Sequence, residues 1–254
     1  MRTLAIACNT FREARRDRAQ WVFLLYAAIV VGAGTALTPL AMGEGYRVTR
    51  DLGLAAMSLV GMMLIVMVGS GMVQKEIDRA TILTVLAKPL RRGEFLFGKY
   101  LGLLAMVALV FVCMTALLAL VLFGREGRVE AAVLWAAAFT FGEFVVLTAI
   151  VVAFSTFVSP VLSGVFTVSV FIMGHFSGDL LRFAGKLEGS LLAWVARAAY
   201  LMLPHMEVFN LRGEAAGGIL PAADTVLASG AYGLLYALSV VLIASAIFSV
   251  REFR

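Results

Sequence analysis

The chain has 254 residues, of which 62% are hydrophobic and only 15% charged, and its mean hydropathy is +0.97. That excludes an ordinary soluble domain, in which about a quarter of residues are charged; runs of about 20 apolar residues, long enough to cross a hydrocarbon core of about 30 Å, recur instead. A net charge of +5 in so apolar a chain argues for Lys and Arg retained on the cytoplasmic side of a membrane rather than for nucleic acid.

Residues 1–19 predict a basic amphipathic helix. Leu4, Ala7, Cys8, Phe11 and Ala14 share one stripe, and Arg2, Arg12, Arg15, Arg16 and Arg18 crowd the rest. Such a helix before a span is expected in the interface plane. The first span is read at 21–42, with Ala28, Gly32 and Ala36 as a small-residue stripe suited to close helix contact. A short charged loop (43–51) leads to a second span at 52–73. The two cysteines, Cys8 and Cys113, have no second thiol or His at ligand spacing, so neither a disulfide nor a metal site is expected.

Lys75–Lys99 is a charged island that holds six of the chain's 21 Lys and Arg residues. Its first half, 76–87, reads as a short helix with Ile77, Ala80, Leu83 and Ala87 on one side, ended by Pro89. Gly93 to Lys99 fits the G-x-x-x-x-G-K of a phosphate loop. However, Tyr100 stands where Ser or Thr would bind Mg²⁺ and no strand precedes it, so nucleotide binding is not expected. The Gly98-Lys99 pair reads instead as the cytoplasmic mouth of a third span at 100–123, with Lys99 at headgroup level.

From Ala131 to Phe176 run 46 residues with one ionisable group, Glu143, before His175. That is too long for one crossing, and Pro160 suits the first turn of a new helix. The fourth span is therefore read at 132–154 and the fifth at 161–176. Residues 177–228 form a mixed segment. An amphipathic helix is expected through Leu180, Phe183, Leu187, Leu191, Trp194 and Ala198, followed by irregular structure among Pro204, Gly213, Gly217, Gly218 and Pro221. The last span is read at 229–250, with Ser229, Gly233 and Ala237 as a second small-residue stripe.

Charge decides the orientation. With six spans, the termini and the island carry 13 basic residues against six acids, and the other side carries eight basic residues against nine acids. The expected localisation is a bacterial inner membrane, with both termini and the island in the cytoplasm and 177–228 outside.

The segment KEIDRATILTVLAKPLRRGEFLFGKYLG resembles the loop between the second and third spans of ABC-2 type transporter permeases. More narrowly, it is similar to the group containing the permease of the nitrous-oxide-reductase maturation transporter. The matching positions are Glu76, Ala80-Thr81, Leu83 to Leu86, Lys88-Pro89, Arg92, Phe95 and Gly98-Lys99; Ala80 replaces a frequent Gly, and Leu90-Arg91 stands where Val-Ser is common. Leu203-Pro204 followed by Phe209-Asn210 looks like the segment these permeases carry before the last span.

The resemblance implies an all-α, six-span permease with an interfacial helix, a cytoplasmic coupling helix and extracytoplasmic helices. Glu76, Ile77, Asp78, Arg79, Thr81, Leu83, Leu86, Lys88, Pro89 and Arg92 would then meet a separate ATP-binding subunit, present in two copies and carrying ATP and Mg. Two such subunits imply a second permease chain, and a homodimer is expected. The remaining expected contacts are membrane lipid and an extracytoplasmic partner. No cofactor or catalytic residue is expected in this chain, and export of an unidentified substrate is the expected activity.

Glu143 is the one mid-span carboxylate. A charge at that depth is costly and must face protein or water, either on a substrate or proton path or as a hydrogen-bonded packing residue. His175, at the outer end of the fifth span, has the chemistry to pair a carboxylate or to ligate a metal; with no second ligand at useful spacing, an interfacial histidine is expected. The competing reading, a secondary transporter, predicts several intramembrane charges and inverted repeats. A membrane-embedded enzyme would need acids clustered near His175 or His205, and the sequence shows no such cluster.

Overall fold

A computed structural model describes residues 2–17, 19–37, 45–73, 92–186 and 191–250. The described residues are helical, with no strand among them. In chain order the helices are α1 (Arg2–Asp17), α2 (Ala19–Leu37), α3 (Gly45–Gly69), α4 (Arg92–Glu126), α5 (Ala131–Phe154), α6 (Pro160–His175), α7 (Ser177–Lys186) and α8 (Leu191–Met202). A 3-10 turn (Met206–Phe209) follows, then α9 (Arg212–Ala216) and α10 (Ala223–Val250).

Four helices, α3, α4, α5 and α10, are long and apolar enough to cross a membrane, while α2 and α6 contribute shorter apolar stretches. This is an integral membrane protein. The central helix is α5: 72% of its apolar stretch is buried within the chain, against 28% for α10. Around it pack α3, α4, α6 and α10, together with the 3-10 turn and α9. Gly142 and the alanines Ala132, Ala136, Ala137 and Ala149 let so many neighbours approach one rod. Pro160 occupies the first turn of α6, where its missing N–H has no intrahelical partner to lose.

Several helix limits differ from the sequence reading, each for a physical reason. Helix α3 begins at Gly45 rather than near 52, because Tyr46, Thr49 and Arg50 are buried against protein instead of facing water. Helix α4 begins at Arg92, so the last third of the charged island continues the membrane helix without a break. The 177–228 segment holds two amphipathic helices, α7 and α8, packed on each other, with 187–190 outside the described residues. Helix α10 starts more than a turn early, at Ala223.

Helix α1 is also turned relative to its sequence stripe. Leu4 is 65% exposed and Cys8 is exposed, whereas Thr10 and Ala14 are buried against α4. Gly98 and Gly102 of α4 decide this rotation. A Cβ on Gly102 would lie 2.6 Å from the Ala7 carbonyl oxygen and from Thr10 Cβ, so only glycine lets the two backbones meet. Helix α1 is thus held by protein along one face and does not only float at the interface.

Candidate functional site

Helix α6 has 16 residues and is about 24 Å long at about 1.5 Å per residue, short of a full crossing. The segment 204–216 occupies the space beyond its end. Met206 is fully buried and Phe209 nearly so. The Phe209 ring lies between α5 and α10 at two glycines: a Cβ on Gly142 would sit 2.7 Å from its Cε1, and one on Gly233 would sit 3.0 Å from its Cζ. Both glycines lie roughly ten residues inside their helices, so the ring reaches about 15 Å below the helix ends. The His205 amide donates to the Tyr232 hydroxyl at 2.8 Å, and Asn210 donates to the Glu207 carbonyl at 3.0 Å. Non-helical backbone at membrane depth survives when protein surrounds it and its polar groups are met. The segment is a plug.

Beneath the plug lies a buried polar cluster. Glu143 is 2% exposed and accepts a hydrogen bond from Ser58 of α3, whose Oγ is 3.1 Å from Oε1. His175 Nε2 lies 3.9 Å from Glu143 Oε2, and His175 Nδ1 is 3.0 Å from the Phe171 carbonyl oxygen. A carbonyl accepts only, so Nδ1 carries a proton. A neutral imidazole therefore turns its lone pair on Nε2 toward the Glu143 carboxyl. Arg212 of α9 acts electrostatically on both groups, and Glu207 acts on His175. Burial pushes the Arg212 guanidinium below its usual value, and the Glu143 carboxylate draws it back up.

A second cluster ties the same end together. Arg50 of α3 is 1% exposed. Its Nε donates to Asp51 Oδ1 at 2.8 Å, its Nη1 donates to the Ala215 carbonyl of α9 at 3.1 Å, and Glu130 Oε2 is 3.8 Å from Nη1. At the opposite end, Lys99 of α4 is also 1% exposed, with Nζ 3.9 Å from Glu13 Oε2 of α1 and 5.8 Å from the centre of the Phe95 ring. It is buried under α1.

A family model described as ABC-2 family transporter protein matches residues 4–248, which takes in every one of these clusters. The chain belongs to that family. No curated protein matches it. ABC-2 proteins are membrane permease components of ABC transporters, not themselves catalytic, and typically work with ATP-binding subunits.

In this ABC-2 chain the residues singled out by sequence fall in two groups. Glu76, Ile77, Asp78, Arg79, Thr81, Leu83, Leu86, Lys88 and Pro89 lie outside the described residues, and Arg92 is the first residue of α4. Glu143 and His175, separate features in the sequence, are brought face to face. Sequence reasoning missed Ser58, Arg50, Glu207 and Arg212. Ser58 carries no charge to draw notice, and the other three look like ordinary loop residues until their neighbours in space are known. The signal that was available was the glycines at 142 and 233, which mark where Phe209 docks.

Proposed function

We propose that this chain is the permease subunit of an ATP-driven exporter. Its 75–99 loop receives motion from a separate ATP-binding subunit that holds ATP and Mg. The assembly contains two permease chains and two ATP-binding subunits. In this reading α2 and α6 complete six spans, both termini lie on the Lys- and Arg-rich cytoplasmic side of an inner membrane, and the plug faces the other side. Within the family, the 75–99 loop supports a likeness to the nitrous-oxide-reductase maturation group.

The observation that carries this reading is α4. It begins at Arg92, within the proposed coupling loop 75–99, and runs unbroken for 35 residues to Glu126. A helix is stiff along its axis, so displacement of the loop moves the far end of α4. Helix α1 is seated on the same helix at Gly98 and Gly102. The small residues Ala28, Gly32 and Ala36 of α2 are exposed on the outer face of the bundle, whereas Ser229, Gly233 and Ala237 of α10 are buried within it. The α2 stripe is therefore the face offered to a second permease chain.

The test is co-purification of the ATP-binding subunit with Glu76→Lys and Arg79→Glu variants. Loss of association with retained membrane insertion is expected. Wild-type association and transport in both variants would remove the loop from the coupling role.

A further inference from the structure

We propose that Glu143 and His175 form a proton-operated lock that holds the plug 204–216 closed, and that a second proton from the extracytoplasmic side releases it. The orientation rests on the topology proposed above; the lock itself rests on the geometry of the pair.

Charge balance around a buried carboxylate sets the lock: the Glu143 side chain is 3% exposed and that of His175 21%, Arg212 is half-buried and Glu207 is exposed. The groups facing the pair come from every element packed around it. Helix α3 supplies the uncharged Ser58, α9 supplies the Arg212 cation, and the 3-10 turn supplies the Glu207 anion. Helix α4 turns Tyr100 to the Val145 carbonyl, and α10 turns Tyr232 to His205. On α7, Asp179 is engaged by Arg182 at 3.6 Å, both well exposed. Arg212 and Glu207 cancel, so the site is neutral only when Glu143 and His175 together carry one proton beyond that on His175 Nδ1. That proton sits on the Glu143 carboxyl or on His175 Nε2, which lie 3.9 Å apart.

A second proton makes the carboxyl neutral and the imidazole cationic at once. The site then holds an uncompensated positive charge beside Arg212 in surroundings that solvate charge poorly. Arg212 belongs to the plug, on α9. The charge is relieved when the plug lifts and water enters, so the open plug binds one more proton than the closed one. Linkage then shifts the closed-to-open balance toward open by up to about tenfold per pH unit of acidification.

The test reads plug opening in the full chain reconstituted in vesicles, without any ATP-binding subunit. In a background of Cys8→Ser and Cys113→Ser, a cysteine at Met206 (M206C) reports the buried plug. One at Leu220, which is 56% exposed, reports the same side without the plug. Both are alkylated by a membrane-impermeant maleimide at outer pH 7.5 and 5.5. The rate for M206C is divided by that for L220C, which removes the chemical slowing of thiols by acid.

The ratio is expected to rise at least tenfold on acidification and to become pH-independent in Glu143→Gln and in His175→Gln. A pH-independent ratio in the parent chain, or an unchanged rise in both variants, overturns the lock. Failure of the reagent to reach L220C overturns the orientation instead, so the two failures are distinguishable. Amide hydrogen exchange of residues 204–211 in the unsubstituted chain, normalised to intrinsic rates, repeats the measurement with Met206 intact. Protection that does not fall on acidification overturns the lock in the same way.

Discussion

Lys99 reaches out from α4 to Glu13 on α1, with 3.9 Å between Nζ and Oε2 and the lysine 1% exposed while the acid is 52% exposed. The pair joins the N-terminal helix to the first turns of the helix that follows the charged island. Because Glu13 is half in solvent, the attraction is screened, and Lys99 Nζ also lies over the Phe95 ring, 5.8 Å from its centre.

Two substitutions separate those terms. Glu13→Gln is expected to change unfolding stability by less than about 1 kcal/mol. Gly102→Leu is expected to displace α1 altogether, since even a Cβ collides with the Ala7 carbonyl. Equilibrium unfolding in micelles gives the first value, and cross-linking of α1 to α4 reads the second. Undiminished cross-linking in Gly102→Leu would mean that the glycine seat does not hold α1.

Phe209 and Gly142 form a lock-and-slot contact whose two sides are predicted to behave oppositely. Phe209→Ala leaves a cavity between α5 and α10 and is expected to cost about 3–5 kcal/mol. Gly142→Ala overfills the same slot and costs about 1–3 kcal/mol. The double variant is expected to be more stable than the sum of the two, because the new methyl occupies part of the space the ring left. Strict additivity in the cycle would show that the ring and the glycine do not meet.

Arg50 is expected to be more sensitive to shape than to charge. Arg50→Ala strands the Ala215 carbonyl and Glu130, with an expected loss of about 3 kcal/mol, less where Asp51 keeps its contact with water. Arg50→Lys keeps the charge but lacks the planar fork that serves Asp51 and Ala215 at once, so it recovers only part of that loss. Full recovery by lysine in a thermal unfolding assay would reduce the site to a simple ion pair.

Ser58→Ala removes the hydroxyl that donates to the buried Glu143 carboxyl, and an expected cost of about 1.5–3 kcal/mol follows if the carboxyl is ionised. In Glu143→Gln the side-chain carbonyl still accepts from Ser58, so this change is expected to be milder than Glu143→Leu. A double-mutant cycle between Ser58 and Glu143 checks the bond directly; a coupling energy of zero would assign Ser58 elsewhere.

Much of the fold was legible because hydrocarbon imposes a length and a polarity on any chain that enters it. The spans read at 52–73, 100–123, 132–154 and 229–250 required nothing more than counting, and each overlaps a long apolar helix. The helix ends were less legible. Arg47, Arg50 and Asp51 look like a loop, since charges ordinarily mark the water side, yet they lie on the first turns of α3. Glu143 could be singled out as an anomaly, but its partners come from residues 58, 175 and 212, and no periodicity links those positions.

The sequence by itself determined that this is a helical membrane protein, because apolar length is a local property, and one charged island carried the resemblance to ABC-2 permeases. Only the tertiary structure decided that Phe209 fills a slot between two glycines, that Lys99 is buried under α1, and that Glu143 faces His175. Each of those contacts closes across helices far apart in the chain. Side-chain shape and the cost of stranding a charge select them, and a linear pattern records neither.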